Sequence, residues 1–302
     1  MGRAARQLDL SGVFAAAVTP NRPGTLDADY SALMDLLDFL ADAKVTGVCV
    51  MGAAGEFLNY SFADRQRSVY LGTKRSRVPM IVGVSHSTLR GAQQLASEAI
   101  SAGADGLLIM PPYFFPYGQR EIEEFLKEFA KETGDAVPIL LYNAPQLTSP
   151  IEANTTKRLL DTGMFAGIDD ASGDWNYFER LLEFRRERPF RLFAGHDRIA
   201  ARALRAGADG LFSDCAAATP ELLVAIASAC GNADALNARL EELIDWVEPF
   251  PAPVALKRAV EMRRQKAGQF AVPLDRERTR ELEEFAAWFQ AWWPRVAAEI
   301  GR

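Results

Sequence analysis

Cysteine and histidine are scarce in this sequence, whose 302 residues include three cysteines and two histidines. Cys49, Cys215 and Cys230 have no metal-ligand spacing and leave one thiol unpaired, which predicts reduced, buried thiols in a reducing compartment. No stretch holds the ~18 apolar residues of a membrane span, and no apolar segment typical of a secretory signal follows the first charged residues. We therefore expect a cytoplasmic protein that does not enter membranes.

Positive charge is also limited, with 34 Lys and Arg against 40 Asp and Glu and a formal net charge of −6. Because no Lys/Arg cluster is present, nucleic-acid binding is not expected. The composition is otherwise ordinary, with 49% hydrophobic and 25% charged residues. It excludes disordered and fibrous classes, and the length fits one large α/β domain or two small ones.

Eight short apolar runs recur as far as residue 213, separated by segments with apolar residues at three- and four-residue spacing. Such strand–helix alternation predicts right-handed βαβ units and a parallel sheet. Eight units favour a closed (β/α)₈ TIM barrel over an open sheet. The predicted strands are 13–18, 47–51, 80–84, 106–110, 138–142, 165–168, 191–194 and 210–213.

The hexapeptide Ala-Gly-Ala-Asp-Gly-Leu occurs twice, at 102–107 and at 206–211, where the fourth and eighth strands would begin. A separation of four units is expected of two half-barrels. A recurrent helix-to-strand loop, with Gly ending the helix, explains the repeat as well. Both interpretations require the same βα architecture.

The strand pattern ends near residue 230, and helical patterns follow over 233–247, 253–266 and 276–298. We predict a (β/α)₈ barrel over residues 9–230 and a C-terminal helical extension over 231–302 packed on it. The tryptophans of this extension lie at helical spacing, which is typical of packing rather than of a binding face.

In such barrels the functional residues lie at the C-terminal ends of the strands. In this sequence those positions are rich in hydroxyl and carboxylate groups and hold no basic residue except the two histidines. The ordered motifs are Ala-Val-Thr-Pro at 17–20, Gly-x-x-Gly-Glu at 52–56, Pro-Pro-Tyr at 111–113, Tyr-Asn-x-Pro at 142–145, Gly-Ile-x-Asp-x-Ser-Gly-Asp at 167–174, Gly-x-Asp at 195–197 and Ala-Pro-Val-Ala-Leu-Lys at 252–257.

In order and residue type, these motifs resemble the dihydrodipicolinate synthase and N-acetylneuraminate lyase family over about residues 12–257. The resemblance implies a class I aldolase-type lyase that handles pyruvate or other 2-keto acids. Such enzymes form a Schiff base on a lysine at the end of the sixth strand. The resemblance also implies that Tyr142 relays protons. Tyr113 would reach a neighbouring site across a dimer interface, in a homo-oligomer built as a dimer of dimers.

The 52–56 loop corresponds to the segment that holds the substrate carboxylate in the family. Its residues are Gly52, Ala53, Ala54, Gly55 and Glu56. Backbone N–H groups in such a turn attract anions, so a small carboxylate ligand is expected, with Glu56 bracing the loop. His196 and Ser213, at the ends of the seventh and eighth strands, are further candidates for lining the pocket.

The sequence departs from the family at the position of the Schiff-base lysine. The family motif Gly-Ile-Lys-Asp reads Gly-Ile-Asp-Asp at 167–170, so Asp169 stands where the lysine is expected. None of the chain's lysines falls at the C-terminal end of a predicted strand, and a carboxylate cannot form an imine. Ala53 and Ala54 stand where the family has hydroxyls, and Leu147 stands near the position where the synthases of the family have a carboxylate-binding arginine.

Asp169 has three interpretations. It is a solvated or capped carboxylate filling a vacated site, a general base with a raised pKa paired with Tyr142, or a metal ligand with Glu56 or Asp214. No dedicated ligand spacing is present, so we predict no metal and no cofactor.

Two functions remain open. One is a dihydrodipicolinate synthase-like protein that acts on a small 2-keto or hydroxy acid without imine chemistry, with Asp169, Tyr142 and Tyr113 as catalytic candidates. The other is a non-catalytic ligand-binding or assembly-partner protein on the same scaffold.

Overall fold

The strands form a closed parallel barrel, which confirms the predicted fold. The computed structural model describes residues 8–301. Each strand pairs with the next along the chain, and β8 closes on β1 with Phe212 opposite Phe14. The strands are β1 (Gly12–Ala16), β2 (Gly47–Val50), β3 (Met80–Gly83), β4 (Gly106–Ile109), β5 (Ile139–Asn143), β6 (Gly167–Asp170), β7 (Arg191–Ala194) and β8 (Gly210–Ser213).

Helices follow the strands and then continue beyond the barrel. Several begin at a side-chain cap: Asp29, Ser61 and Thr88 each accept a hydrogen bond from a backbone N–H of the first turn. No helix within residues 8–301 is both long and apolar enough to cross a membrane. The helices are α1 (Tyr30–Asp42), α2 (Phe62–Arg75), α3 (Leu89–Ala102), α4 (Gln119–Thr133), α5 (Ala153–Asp161), α6 (Trp175–Glu187), α7 (Ala200–Arg205), α8 (Pro220–Ser228), α9 (Asp234–Val247), α10 (Val254–Met262) and α11 (Arg276–Glu299).

The repeated hexapeptide has the same structure in both copies. At 102–107 and 206–211, the first glycine follows a helix with a φ of +97° or +98°, a conformation that glycine adopts without strain. Asp105 accepts a hydrogen bond of 2.8 Å from a backbone N–H of β3, and Asp209 accepts one of 2.8 Å from β7. Each copy therefore ends a helix and ties the next strand to the previous one.

Aromatic side chains pack inside the barrel between β1, β7 and β8. Phe14 lies 5.6 Å from Phe193 and 5.0 Å from Phe212, measured between ring centroids. All three are buried, and burying each contributes about 1.5–3 kcal/mol. The barrel interior is therefore a packed core, and a ligand can only be held at its C-terminal end.

The C-terminal helices pack on one another through their tryptophans. Trp292 of α11 is 1% exposed, and its Nε1 donates a 2.7 Å hydrogen bond to Glu242 of α9. Trp246 of α9 stacks on Trp288 of α11 with ring centroids 5.5 Å apart. These rings join helix to helix, in agreement with their spacing in the sequence.

Candidate active site

A cavity of about 310 Å³ lies where the C-terminal ends of the strands meet the C-terminal helices. The barrel contributes residues that follow β2, β5, β6, β7 and β8. Helix α9, helix α10 and the segment between them supply an apolar wall. The barrel residues that line the cavity are Ala53, Ala54, Tyr142, Gln146, Leu147, Ala171, Gly195, His196, Asp197, Asp214 and Cys215.

Asp169 lies within β6 rather than after it, because the strand continues to Asp170 instead of ending at Ile168 as predicted. Its Cα is paired with that of Tyr142 in β5 and that of Phe193 in β7. The carboxylate lies directly against Gly195, where a Cβ atom would come 2.3 Å from Oδ1. Asp169 therefore sits inside the barrel, beneath a glycine that lines the cavity.

The Asp169 side chain is buried without a partner. It is 2% exposed, and neither carboxyl oxygen has a hydrogen bond in the described part of the chain, with Oδ1 completely buried. Burial, followed by the charges of Asp170, Asp214 and Asp197, raises the pKa of Asp169 well above its usual value. Asp169 is thus neither exposed to solvent nor capped by a hydrogen-bond donor among the described residues.

The neighbouring Asp170 is held very differently. It accepts hydrogen bonds from Asn143 Nδ2 at 2.8 Å, Ser172 Oγ at 3.0 Å and the Ser172 backbone N–H at 3.2 Å. Burial raises the pKa of Asp170 to about 6, against the opposing effect of these donors. Asp170 therefore fixes the β5 and β6 ends together, while Asp169 has no such donor among the described residues.

Two further aspartates line the cavity; from the sequence, Asp214 was considered only as a metal ligand and Asp197 only as part of a motif. Asp197 accepts hydrogen bonds from Ser213 Oγ at 2.5 Å and from the Cys215 backbone N–H at 2.9 Å. Asp214 is half-buried, and its carboxylate has no hydrogen bond within residues 8–301. Burial and Asp197 raise the pKa of Asp214 to about 7. In the sequence, the signal for Asp214 was its place directly after Ser213, at the C-terminal end of the eighth strand.

Tyr142 connects Asp169 to the cavity. It lines the cavity while only 9% exposed. Burial, Asp214 and Asp169 together raise its pKa well above the usual value, so the phenol keeps its proton. The side chains of Tyr142 and Asp169 are neighbours across the β5–β6 pairing, and no hydrogen bond joins them among the described residues.

In the 52–56 loop, only the central residues reach the cavity. Ala53 and Ala54 line it, whereas Gly52, Gly55 and Glu56 do not. The backbone N–H groups of Ala53 and Ala54 have no hydrogen-bond acceptor in the described chain. Two residues that line the cavity therefore have unpaired backbone N–H groups, and such groups in a turn attract anions.

Glu56 points away from the cavity and forms a buried ion pair with Lys257 of α10. Lys257 Nζ also donates hydrogen bonds to Asn21 Oδ1 at 2.7 Å and to the Gln269 carbonyl at 3.2 Å. Burial lowers the pKa of Lys257, and the charge of Glu56 opposes that effect. We call Glu56, Lys257 and Asn21 the buried clamp. The clamp fixes the 52–56 loop to the C-terminal helices.

The remaining candidates separate into two groups. His196 lines the cavity, and its Nδ1 accepts a 3.3 Å hydrogen bond from the Arg198 backbone N–H. Tyr113 does not line the cavity, since its ring packs on Phe57 at a centroid distance of 5.7 Å. Ser213 is committed to Asp197. No group of three His, Cys, Asp or Glu residues among 8–301 is arranged to hold a metal ion.

Known proteins share this fold and these motifs. The model of the dihydrodipicolinate synthetase family matches residues 9–291. The chain belongs to the dihydrodipicolinate synthetase family. An uncharacterized DapA-like lyase from Chloroflexus aurantiacus is 33% identical over 260 residues, covering 82% of this chain and 85% of that protein. A 4-hydroxy-tetrahydrodipicolinate synthase from Methanothrix thermoacetophila is 30% identical over 270 residues, covering 87% of this chain and 90% of that protein.

Solved structures of the dihydrodipicolinate synthetase family have the same architecture. The 4-hydroxy-tetrahydrodipicolinate synthase from Methylacidiphilum fumariolicum superposes with a TM-score of 0.86 at 24% identity, covering 96% of this chain and 99% of that one. A dihydrodipicolinate synthase from Acinetobacter baumannii, complexed with pyruvate, superposes with a TM-score of 0.85 at 24% identity. The match covers 93% of this chain and 99% of that one.

In this member of the dihydrodipicolinate synthetase family, the described residues that line the cavity include neither lysine nor arginine. Lys257 is buried nearby but is committed to the clamp. What the cavity offers instead is a phenol, a histidine, several carboxyl groups and two backbone N–H donors. These are the kinds of group that bind anions and exchange protons.

Proposed function

We propose that the chain is a dihydrodipicolinate synthase-like lyase-family protein that acts on a small 2-keto or 2-hydroxy acid without imine chemistry. Asp169 takes the place of the Schiff-base lysine and, with Tyr142, moves a proton. The supporting observation is Asp169 Oδ1, which is completely buried and has no donor within residues 8–301. An unpaired buried oxygen costs about 1–3 kcal/mol. Groups with perturbed surroundings of this kind concentrate at functional sites.

The geometry suggests how a ligand would bind. Its carboxylate accepts hydrogen bonds from the free N–H groups of Ala53 and Ala54. Its oxo or hydroxyl group then lies toward Tyr142, whose side chain lines the cavity. General acid–base catalysis needs a group within hydrogen-bond reach of the reacting proton, and Tyr142 is that group. Asp169, which does not line the cavity, exchanges its proton with Tyr142 rather than with the ligand. The pyruvate complex of the Acinetobacter baumannii neighbour supports a keto acid as the ligand class.

The charge state of Asp169 decides whether a carboxylate can enter. Two unit charges about 5 Å apart at an effective dielectric near 20 repel by about 3 kcal/mol, roughly a hundredfold in affinity. The raised pKa of Asp169 means that it keeps a proton where a solvent-exposed aspartate has lost it. We expect carboxylate affinity to rise as pH falls through the pKa of Asp169, and Asp169→Asn to bind more tightly than the wild type only above that pKa.

Proton exchange in D₂O tests the proposal directly. Proton NMR would follow the C3 protons of 2-keto acids, from pyruvate to larger acids, in the presence of the wild-type protein. Loss of general acid–base catalysis is typically worth 10²–10⁴-fold, so Tyr142→Phe and Asp169→Asn should slow the exchange by that order. Tyr70→Phe, at an exposed tyrosine, is the matched control. Binding without exchange in the wild type would support the non-catalytic alternative on the same scaffold.

We also propose that the chain forms a homo-oligomer, a dimer of dimers, through the loop that carries Tyr113. The two residues after it, Phe114 and Phe115, are 87% and 64% exposed, and their rings pack edge to face at 4.9 Å. A pair of exposed aromatic rings is suited to burial in a protein interface.

A further inference from the structure

The part of the cavity away from the 52–56 loop has an unusual combination of wall and charge. Its wall comes from α9, α10 and the segment between them, and includes Ile244, Val247, Phe250, Val254 and Leu256. All of these side chains are apolar. A ligand that extends from the loop into this part of the cavity therefore meets hydrocarbon on one side.

The ionisable groups that line the cavity are acidic apart from His196, and one of them, Glu248, follows α9 in the same segment as the apolar wall. Asp197, Asp214 and Glu248 line the cavity, and His196 is the single lining residue in the described chain that can carry positive charge. Glu248 is neutralised from outside by Arg198, whose Nε donates a hydrogen bond of 3.0 Å. Asp197 is satisfied by Ser213 and Cys215. Asp214 alone faces the cavity with no partner, so its charge acts on whatever enters.

We infer that this cavity selects acids that carry one carboxylate and an apolar branch, and that it rejects dicarboxylates. The single carboxylate binds the N–H groups of Ala53 and Ala54, and the branch lies on the apolar wall. A second carboxylate would lie near Asp214 with no lysine or arginine among the described lining residues to receive it. This inference rests on the proposed function, because it names the substrate class of the same site.

The size of the cavity agrees with such a ligand. Its volume of about 310 Å³ is roughly ten times the ~30 Å³ that a water molecule occupies in the liquid. It is at the small end of ligand pockets, and larger than pyruvate needs. A branched acid would contact the apolar side chains of the wall that pyruvate is too small to cover.

Calorimetry on the full chain with two acids of similar length tests the inference. The acids are 4-methyl-2-oxopentanoate and 2-oxoglutarate, which carry on C3 an isopropyl group and a carboxymethyl group, respectively. At about pH 8 the carboxyl of Asp214 is ionised, since its pKa is about 7. We expect the branched acid to bind at least tenfold more tightly, a difference of about 1.4 kcal/mol or more.

Two variants separate charge from shape. Asp214→Asn should bind 2-oxoglutarate at least fivefold more tightly than the wild type does, because the repelling charge is gone. Glu241→Gln, an exposed residue of α9, should leave the ratio of the two affinities unchanged. If the wild type binds both acids equally, or prefers 2-oxoglutarate, the selectivity inference is overturned while the proposed function stands. If neither acid binds and neither exchanges its C3 protons, both are overturned.

Discussion

Replacing Asp169 by Asn should change how stability depends on pH. A carboxyl whose pKa is raised in the folded chain binds a proton there that it releases on unfolding, because an unfolded aspartate titrates near 3.9. Between the unfolded and folded pKa values, the folded state therefore holds the extra proton. In that window the free energy of unfolding falls as pH rises, by about 1.4 kcal/mol per pH unit for each such carboxyl.

The structure assigns at least two carboxyls to this class, in a window that extends up to about pH 7. They are Asp169, with its pKa well above the usual value, and Asp214, with a pKa of about 7. Asp170, with a pKa of about 6, contributes in part. Each of these carboxyls adds about 1.4 kcal/mol per pH unit to the fall wherever the folded chain keeps its proton. Asp169→Asn removes one of the carboxyls that bind an extra proton in the folded chain. The free energy of unfolding of this variant should therefore fall less steeply with pH, by about 1.4 kcal/mol per pH unit, than that of the wild type. Burial lowers the pKa of His86, and its opposite contribution cancels because both proteins contain it.

Urea unfolding at three pH values in this window, followed by tryptophan fluorescence, measures both slopes. The m-values should agree between the proteins, so that the difference lies in the free energy alone. Asp135→Asn, at an exposed aspartate in the loop before β5, makes the same chemical change at the surface and should keep the wild-type slope. Equal slopes for wild type and Asp169→Asn would mean that Asp169 is ionised when folded, and would refute the argument from burial.

Three other expectations follow from the same contacts. Borohydride should trap no pyruvate on the wild-type protein, since no lysine is among the described residues lining the cavity; a mass increase of reduced pyruvate on any lysine would contradict this. Light scattering at micromolar concentration should report a tetramer, and a monomer would count against an interface at Tyr113. Lys257→Met should lower the free energy of unfolding by about 3–5 kcal/mol, because buried Glu56 loses its cation. A loss below about 1 kcal/mol, as expected for the exposed control Lys266→Met, would show that the pair is not compensated in this way.

Strand order and the mouth of the cavity could be predicted from the sequence, because apolar runs and the residues after them are local signals. Ala53, Ala54, Tyr142 and His196 were placed by that argument, and all four line the cavity. The end of β6 was misplaced, because two adjacent aspartates interrupt an apolar run and were interpreted as the start of a loop. A run of residue types cannot show that neighbouring strands bury both carboxyls.

The contacts across the fold could not be predicted. Glu56 was expected to brace its loop, but its partner Lys257 lies on a helix far along the chain, and only barrel closure brings the two together. The partnerless state of Asp214 likewise depends on Asp197 taking the nearby donors. In both cases several carboxylates compete for a few hydrogen-bond donors or cations. Which carboxylate obtains one depends on distances in the folded chain, and residue types alone do not give those distances.

The buried clamp also determines when the site is completed during synthesis. Lys257 and Asn21 are separated by 236 positions in the chain. Because the N-terminal part of a chain emerges from the ribosome first, all eight strands are made before the lysine that pairs with Glu56. A nascent chain that ends before α10 contains every strand of the barrel but lacks both the cation beneath the 52–56 loop and the part of the cavity wall that α10 supplies, Val254, Ala255 and Leu256. Ligand binding by ribosome-bound chains of increasing length would therefore appear only once α10 has left the exit tunnel.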